Sequence, residues 1–244
     1  MPRHFIKLAY NGIGFHGWQI QDNAITVQGE LNKALSLLLS QEIKTTGCGR
    51  TDTGVNASCF FAHFDADNLI DNLVYKLNSL LPNSIVIETI IDVEPEAHAR
   101  FDAKARTYQY FFHTKANPFS GEFSTYISSE LDIEKMNKAC ELLLVTTDFT
   151  SFSKVHTDTF TNNCKVSLAK ISELEAGKFV FEIKADRFLR NMVRAIMGTL
   201  IQVGKEKLTI EQFQEVIDSL DRGKAGKSVD GKALFLSNVA YDYL

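Results

Sequence analysis

The spacing of apolar residues switches between a two-residue and a helical period in a similar order in each half of this chain, and that order limits the folds open to it. Residues Phe5 to Tyr10 alternate, with Ile6, Leu8 and Tyr10 on one face, the pattern of a strand. Thr26 then stands where a helix cap is needed, ahead of Val27, Leu31, Ala34, Leu35, Leu38 and Leu39 at helical spacing. Strands are predicted over Ser58 to Phe64 and Ser84 to Val93. Between them a helix is predicted over Asn68 to Leu80, apolar along Leu69, Leu73, Val74, Leu77 and Leu80. A second series begins at Ala105, with a strand through Tyr110 and Phe111, a helix near Ile133 to Leu144, and strands near Val166 to Leu174 and Lys178 to Lys184. A long helix is predicted from about Asp186, and another at Thr209, where Thr209-x-x-Gln212 fits a capping box. A strand closes the chain around Ala233 to Tyr241. The halves match in content, which predicts an α+β chain of two similar α/β units that share one extended sheet, with helices packed on a sheet face.

With 244 residues there is enough chain for one large domain or two smaller ones. Four prolines and no low-complexity run leave no place for a long flexible linker, so two closely joined domains are expected, 1–104 and 105–244. The opening residues Met1 to Leu8 lack the apolar core of a signal segment, and no apolar run is long enough to span a membrane, which predicts a cytoplasmic protein. Cys48, Cys59, Cys140 and Cys164 form no CxxC pair, and the six histidines lack ligand spacing, so reduced thiols and no structural zinc are expected. His16, His63, His98, His113 and His156 read as isolated surface or core residues. A formal net charge of -4 argues against binding nucleic acid with the whole surface, so any such contact has to come from local patches.

The stretch Gly47-Cys48-Gly49-Arg50-Thr51-Asp52-Thr53-Gly54 places three glycines within eight residues, which suits a sharply bent loop that displays Asp52. In an extended backbone Arg50 and Asp52 project to the same side, where a guanidinium would favour the ionised carboxylate. That arrangement suits a nucleophile or base better than a proton donor. Asp52-Thr53-Gly54 also matches the Asp-Thr-Gly of aspartic proteases. That reading is set aside because such a carboxylate pair must share a proton, which Arg50 would disfavour. Trp18, in the preceding loop from Asn11 to Gln19, reads as a packing residue.

Two further groups are candidates for contact with phosphates or unpaired bases. Arg187, Arg190 and Arg194, at i, i+3 and i+7 on the predicted helix from Asp186, form a candidate phosphate-binding stripe beside an apolar face of Leu189, Met192, Val193, Ile196 and Leu200. On the strand from Arg106 to Tyr110, Arg106, Tyr108 and Tyr110 share a face, and a ring beside a cation is a surface on which an unpaired base can stack.

Taken together, these segments resemble the tRNA pseudouridine synthase A family nearly end to end and in the right order. Leu8-Ala9-Tyr10-Asn11-Gly12 with Phe15-His16-Gly17-Trp18-Gln19 is similar to its opening motif, and Thr26 to Leu31 to its first helix. Gly49-Arg50-Thr51-Asp52-Thr53-Gly54-Val55 is similar to its catalytic signature. Phe101-Asp102-Ala103, Arg106-x-Tyr108-x-Tyr110 and Phe188 to Arg194 match further motifs. The resemblance implies the pseudouridine synthase fold: two α/β domains of ferredoxin or RNA-recognition-motif type sharing a mainly antiparallel sheet with a central cleft. It also implies isomerisation of uridine in the anticodon stem-loop of tRNA, at about positions 38–40, by a homodimer with no cofactor or metal. By that resemblance Asp52 is the essential carboxylate, acting either on the anomeric carbon or on a ribose proton. Tyr108 is then the ring on the uracil, Arg50 helps to place the flipped nucleotide, Arg194 is the basic partner of Asp52, and Arg187 and Arg190 meet phosphates. Where the family has Ala-Pro-x-x-Gly-Leu, this chain reads Val229-Asp230-Gly231-Lys232-Ala233-Leu234, which keeps the apolar Leu234 for the uracil pocket but lacks the proline and the glycine. The alternative from another class is a catalytically silent RNA-binding protein of the same fold.

Overall fold

The structure is a computed structural model and describes residues 1–154 and 160–244; His156 lies outside the described residues. Along the chain run β1 (Arg3–Tyr10), α1 (Val27–Leu39), β2 (Thr46–Gly47), β3 (Asn56–Asp65), α2 (Leu73–Leu80), β4 (Ile85–Val93) and β5 (Ala105–His113). They are followed by β6 (Thr125–Tyr126), α3 (Ile133–Val145), β7 (Val166–Glu175), β8 (Lys178–Ala185), α4 (Met192–Gly204), α5 (Ile210–Asp218) and β9 (Leu234–Ala240). The chain divides into two compact units, one of Met1–Lys104 with Phe235–Leu244, the other of Ala105–Leu234. The last ten residues, expected in the second domain, thus belong to the first unit.

In the first unit β1 lies between β3 and β4, antiparallel to both. On the far side of β3, β9 pairs with it in parallel, Asn56 opposite Phe235 and Ala57 opposite Leu236. A parallel pair needs a long crossover, and here the whole second unit lies in sequence between the two strands. Ile6, Leu8 and Tyr10 are buried as the alternation requires, but Phe5 on the opposite face is buried too. Its ring meets those of Tyr241 and Tyr243 at 5.5 and 6.1 Å, so the returning C-terminus covers that face. Thr26 caps α1 by accepting from the Gly29 N–H at 3.2 Å.

In the second unit β8 lies between β5 and β7, antiparallel to both, and β6 runs parallel beside β5. The two units share one device. Asn78 of α2 gives both ends of its amide to Ile87 of the outer strand β4, and Asn137 of α3 does the same for Ile171 of β7. Each side-chain amide satisfies a peptide group that a further strand would otherwise pair. The capping box at Thr209 and Gln212 starts α5.

Two helices begin later than their periodicity suggests. Helix α2 starts at Leu73 because Asn72 is left-handed (φ 57°), and α4 starts at Met192 because Asn191 is left-handed (φ 67°). Asparagine adopts that conformation more readily than most residues, and it interrupts a helix even where the apolar spacing runs through it. Among the described residues no helix is long and apolar enough to cross a membrane.

Candidate active site

The Asp52 loop is held by the loop before α1. The Trp18 N–H donates to the Thr51 carbonyl at 3.3 Å, the Gly54 N–H to the Phe15 carbonyl at 3.3 Å, and the Val55 N–H to the Asp52 carbonyl at 3.1 Å. Thr51 is buried, with its hydroxyl 2.9 Å from the Tyr10 phenol. Gly17, in the left-handed region (φ 87°), lets the two loops close up, since a methyl group there would lie 2.3 Å from the Thr51 carbonyl oxygen. Beneath them Trp18 is buried and stacks on Phe60 with ring centres 4.1 Å apart, which makes it the packing residue expected from sequence. The backbone on both sides of Asp52 is therefore fixed, while its side chain is only half-buried.

Arg50 is exposed and Thr51 turns inward, as alternation requires. Ion pairs in this unit join Arg3 to Asp65, Lys7 to Glu88, Lys44 to Glu42 and Lys104 to Asp242, and no ion pair joins Arg50 to Asp52 among the described residues. An exposed guanidinium gains little from such a pair in water. Cys48 is fully buried beneath the loop, which is a packing position rather than that of a nucleophile.

In the second unit Tyr108 is half-buried on β5, and the ring of Phe188 meets it edge to face at 5.0 Å, with the planes 85° apart. Arg106, two residues earlier, donates to the Asp186 carbonyl at 2.9 Å, which ties β5 to the segment that carries Phe188. Tyr110 is buried and hydrogen-bonded to Thr125 at 2.7 Å; burial first, and the nearby Asp230 carboxylate in addition, push its phenol up to about 12, so it stays protonated at neutral pH. Tyr110 is thus a core residue, and Tyr108 is the more accessible ring of the pair.

Of the three arginines, only Arg194 is on a helix, in the first turn of α4. Arg187 and Arg190 lie in the connection from β8, which removes the helical stripe expected from their spacing. Arg187 donates to the Thr161 carbonyl at 3.4 Å, and Arg190 is exposed. Arg194 uses its Nε to donate to the Val229 carbonyl at 2.8 Å, and the Val229 N–H returns a bond to the Arg194 carbonyl at 3.2 Å. The segment without the family's proline forms a short turn of 3-10 helix, Gly231–Ala233, capped by the Asp230 carboxylate, which accepts from the Lys232 N–H at 3.2 Å. The Lys232 ammonium also donates to the Gly121 carbonyl at 2.8 Å. Leu234 follows, buried at the first position of β9.

Sequence reading gave no role to Phe188 or to Arg222. Phe188 stands within a motif-like run but at no spacing that ties it to Tyr108, and Arg222 sits among glycines and lysines that look like an ordinary exposed turn. Comparisons with known proteins find relatives over nearly the whole chain. A family model described as tRNA pseudouridine synthase matches residues 139–242. A tRNA pseudouridine synthase A of Parabacteroides distasonis is 52% identical over 244 residues, covering 99% of this chain and 96% of that protein. The proteins of the same name from Bacteroides thetaiotaomicron and Bacteroides fragilis are 51% and 49% identical, each over 99% of this chain and over 91% and 97% of their own lengths.

Proposed function

This chain belongs to the tRNA pseudouridine synthase A family and isomerises uridine to pseudouridine in tRNA, and from that premise we propose that Asp52 is its reacting carboxylate and the anticodon stem-loop its substrate. The reaction breaks the bond between the anomeric carbon and N1 of uracil, turns the base, joins the same carbon to C5, and removes the proton from C5 while N1 gains one. Atoms are conserved. Asp52 starts the sequence either by attack on the anomeric carbon or by taking a ribose proton, and an ionised carboxylate serves both routes.

The observation that carries the assignment is the anchorage of the loop, whose bonds to Trp18 and Phe15 fix the backbone around the half-buried Asp52. Tyr108 packs on the uracil, supported at its edge by Phe188. Arg194 is the cation that serves the carboxylate chemistry, Arg50 places the extruded nucleotide, Leu234 lines the uracil pocket, and Arg187 and Arg190 contact phosphates. A target base within a stem must leave the stack, at a cost of a few kcal/mol that these contacts offset. The protein works in the cytoplasm as a homodimer, which doubles the basic surface of an acidic chain.

The test is to incubate the protein with unmodified anticodon stem-loop RNA and no added cofactor, then map pseudouridine at each uridine. Product is expected at about positions 38–40. Asp52→Ala is expected to bind the RNA and form none. Product from the Asp52→Ala protein would overturn the assignment, and binding without product by the unaltered protein would make it a silent RNA binder.

A further inference from the structure

Between α5 and the 3-10 turn at Gly231 the chain forms a strap, residues 225–229, laid against the first half of α4. Its approach is unusually close. A methyl group on Gly198 of α4 would lie 2.0 Å from the Lys227 carbonyl oxygen, and one on Gly226 would lie 2.7 Å from the Gly198 carbonyl oxygen. Two facing glycines let backbone meet backbone. The Gly226 N–H donates to the Thr199 hydroxyl at 2.9 Å, which itself donates to the Ala195 carbonyl at 2.8 Å.

Arg222 also holds this strap. One terminal nitrogen donates to the Ala225 and Gly226 carbonyls at 3.4 and 3.3 Å, and the other to the Ser228 hydroxyl oxygen at 2.8 Å. The same Ser228 oxygen accepts from the Asn191 amide at 2.7 Å, and Asn191 is the left-handed residue that starts α4. The strap ends at Val229, whose carbonyl receives the Arg194 Nε–H. A guanidinium is planar, so directing its Nε–H restrains its plane and the directions of its two terminal nitrogens. The chain of contacts therefore runs from Arg222 through Ser228 and Val229 to the orientation of the Arg194 head group.

We propose that Arg222 is a positioning residue for the isomerisation, holding the strap at the register in which Val229 sets the Arg194 guanidinium. Lysine cannot replace it, because one ammonium does not span the two carbonyls and the hydroxyl that the planar fork reaches. The strap precedes the segment that lacks proline, and Arg222, with the Asp230 cap and the Lys232 contact to Gly121, restrains this stretch by side-chain bonds.

The inference rests on the reading that Arg194 serves the reaction, and one set of rates separates the two. With stem-loop RNA, Arg222→Gln and Arg222→Lys are expected to lower kcat about tenfold or more while KM changes by less than about twofold, as for a misplaced group that acts on the reacting centre. Ser228→Ala removes the oxygen shared by Arg222 and Asn191 with little change in volume, and a smaller loss in the same direction is expected. In an Arg194→Lys background, Arg222→Gln is expected to cause almost no further loss, because the two act as one unit. An unchanged kcat in the Arg222 and Ser228 variants, or losses from Arg222→Gln and Arg194→Lys that multiply, would overturn the inference. An unchanged kcat in Arg194→Lys alone would instead overturn the reading beneath it.

Discussion

A single carboxylate does the chemistry proposed for Asp52, and Phe15, Trp18 and Val55 hold the loop around it by peptide groups. Histidines of the same unit have a different effect. His63 is buried and accepts the Ala99 N–H on its Nδ1 at 3.1 Å, so a proton on that nitrogen would break the bond. Burial first, then the charges of Arg3 and His98, bring its pKa down to about 4, against an opposing pull from Asp65 and Asp102. In the unfolded chain the imidazole titrates near its ordinary value of about 6.5. Between those values the unfolded state binds the proton and the folded state does not. The contribution is therefore complete above about pH 6.5 and is lost as pH falls towards 4. The urea midpoint of the protein is expected to fall from pH 7 to pH 5, and that of His63→Gln, which does not titrate, to fall less steeply. Equal slopes for the two would show that His63 does not couple protons to folding.

At the level of elements, the connection from β8 to α4 carries two of the basic residues proposed to meet RNA. Because Asn191 delays the helix, Arg187 and Arg190 hang on an irregular segment whose start is fixed by the Asp186 carboxylate, which accepts from the Lys165 and Arg187 N–H groups at 2.8 and 2.7 Å. Phosphate contacts are sequence-independent and release counterions. Replacing both residues by glutamine is expected to weaken stem-loop binding and to flatten the log–log salt slope by about 1–2, with kcat at saturating RNA nearly unchanged. An unaltered slope would return both to an ordinary solvated surface. These helix starts also mark how far the sequence could be read. Periodicity located α1, α3, α5 and the longer strands, and at α1 and α5 Thr26 and Thr209 bond the first turn as their side chains allow, whereas the two-residue β2 and β6 are too short to show a period. It overran α2 and α4, because apolar spacing carries no information about a left-handed Asn72 or Asn191. Asp52 stands out as a candidate because glycines and an acidic residue gather in one short stretch. The strap and Arg222 do not, since their meaning lies in contacts between Ala225, Ser228 and α4 that depend on the folded unit.

The first unit is not continuous in sequence, and this governs how the molecule can be divided. Residues 1–104 lack β9, whose Phe235 and Leu236 pair with Asn56 and Ala57, next to the Asp52 loop. They also lack Tyr241 and Tyr243, whose hydroxyls donate to the Ala99 carbonyl at 2.5 Å and to the Asp102 carboxylate at 2.9 Å, and whose rings cover Phe5. Without those residues an edge of β3 and an aromatic face of β1 are left to water, and exposed aromatic surface of that kind is costly. A fragment of residues 1–104 is therefore expected to show no near-ultraviolet circular dichroism and no cooperative urea transition. Restoring residues 235–244 through a linker should correct this if the geometry is respected. The Lys104 N–H donates to the Ala240 carbonyl at 2.8 Å, so Lys104 lies at the far end of β9 from Phe235. A linker must therefore run back along five strand steps, roughly 17 Å at about 3.3 Å each. A flexible Gly/Ser linker of about ten residues has a mean span of roughly that length. The linked fragment is expected to unfold cooperatively and to form no pseudouridine, since Tyr108 and Arg194 are absent from it. Cooperative folding of residues 1–104 alone would show that the C-terminal strand is dispensable to the unit it joins.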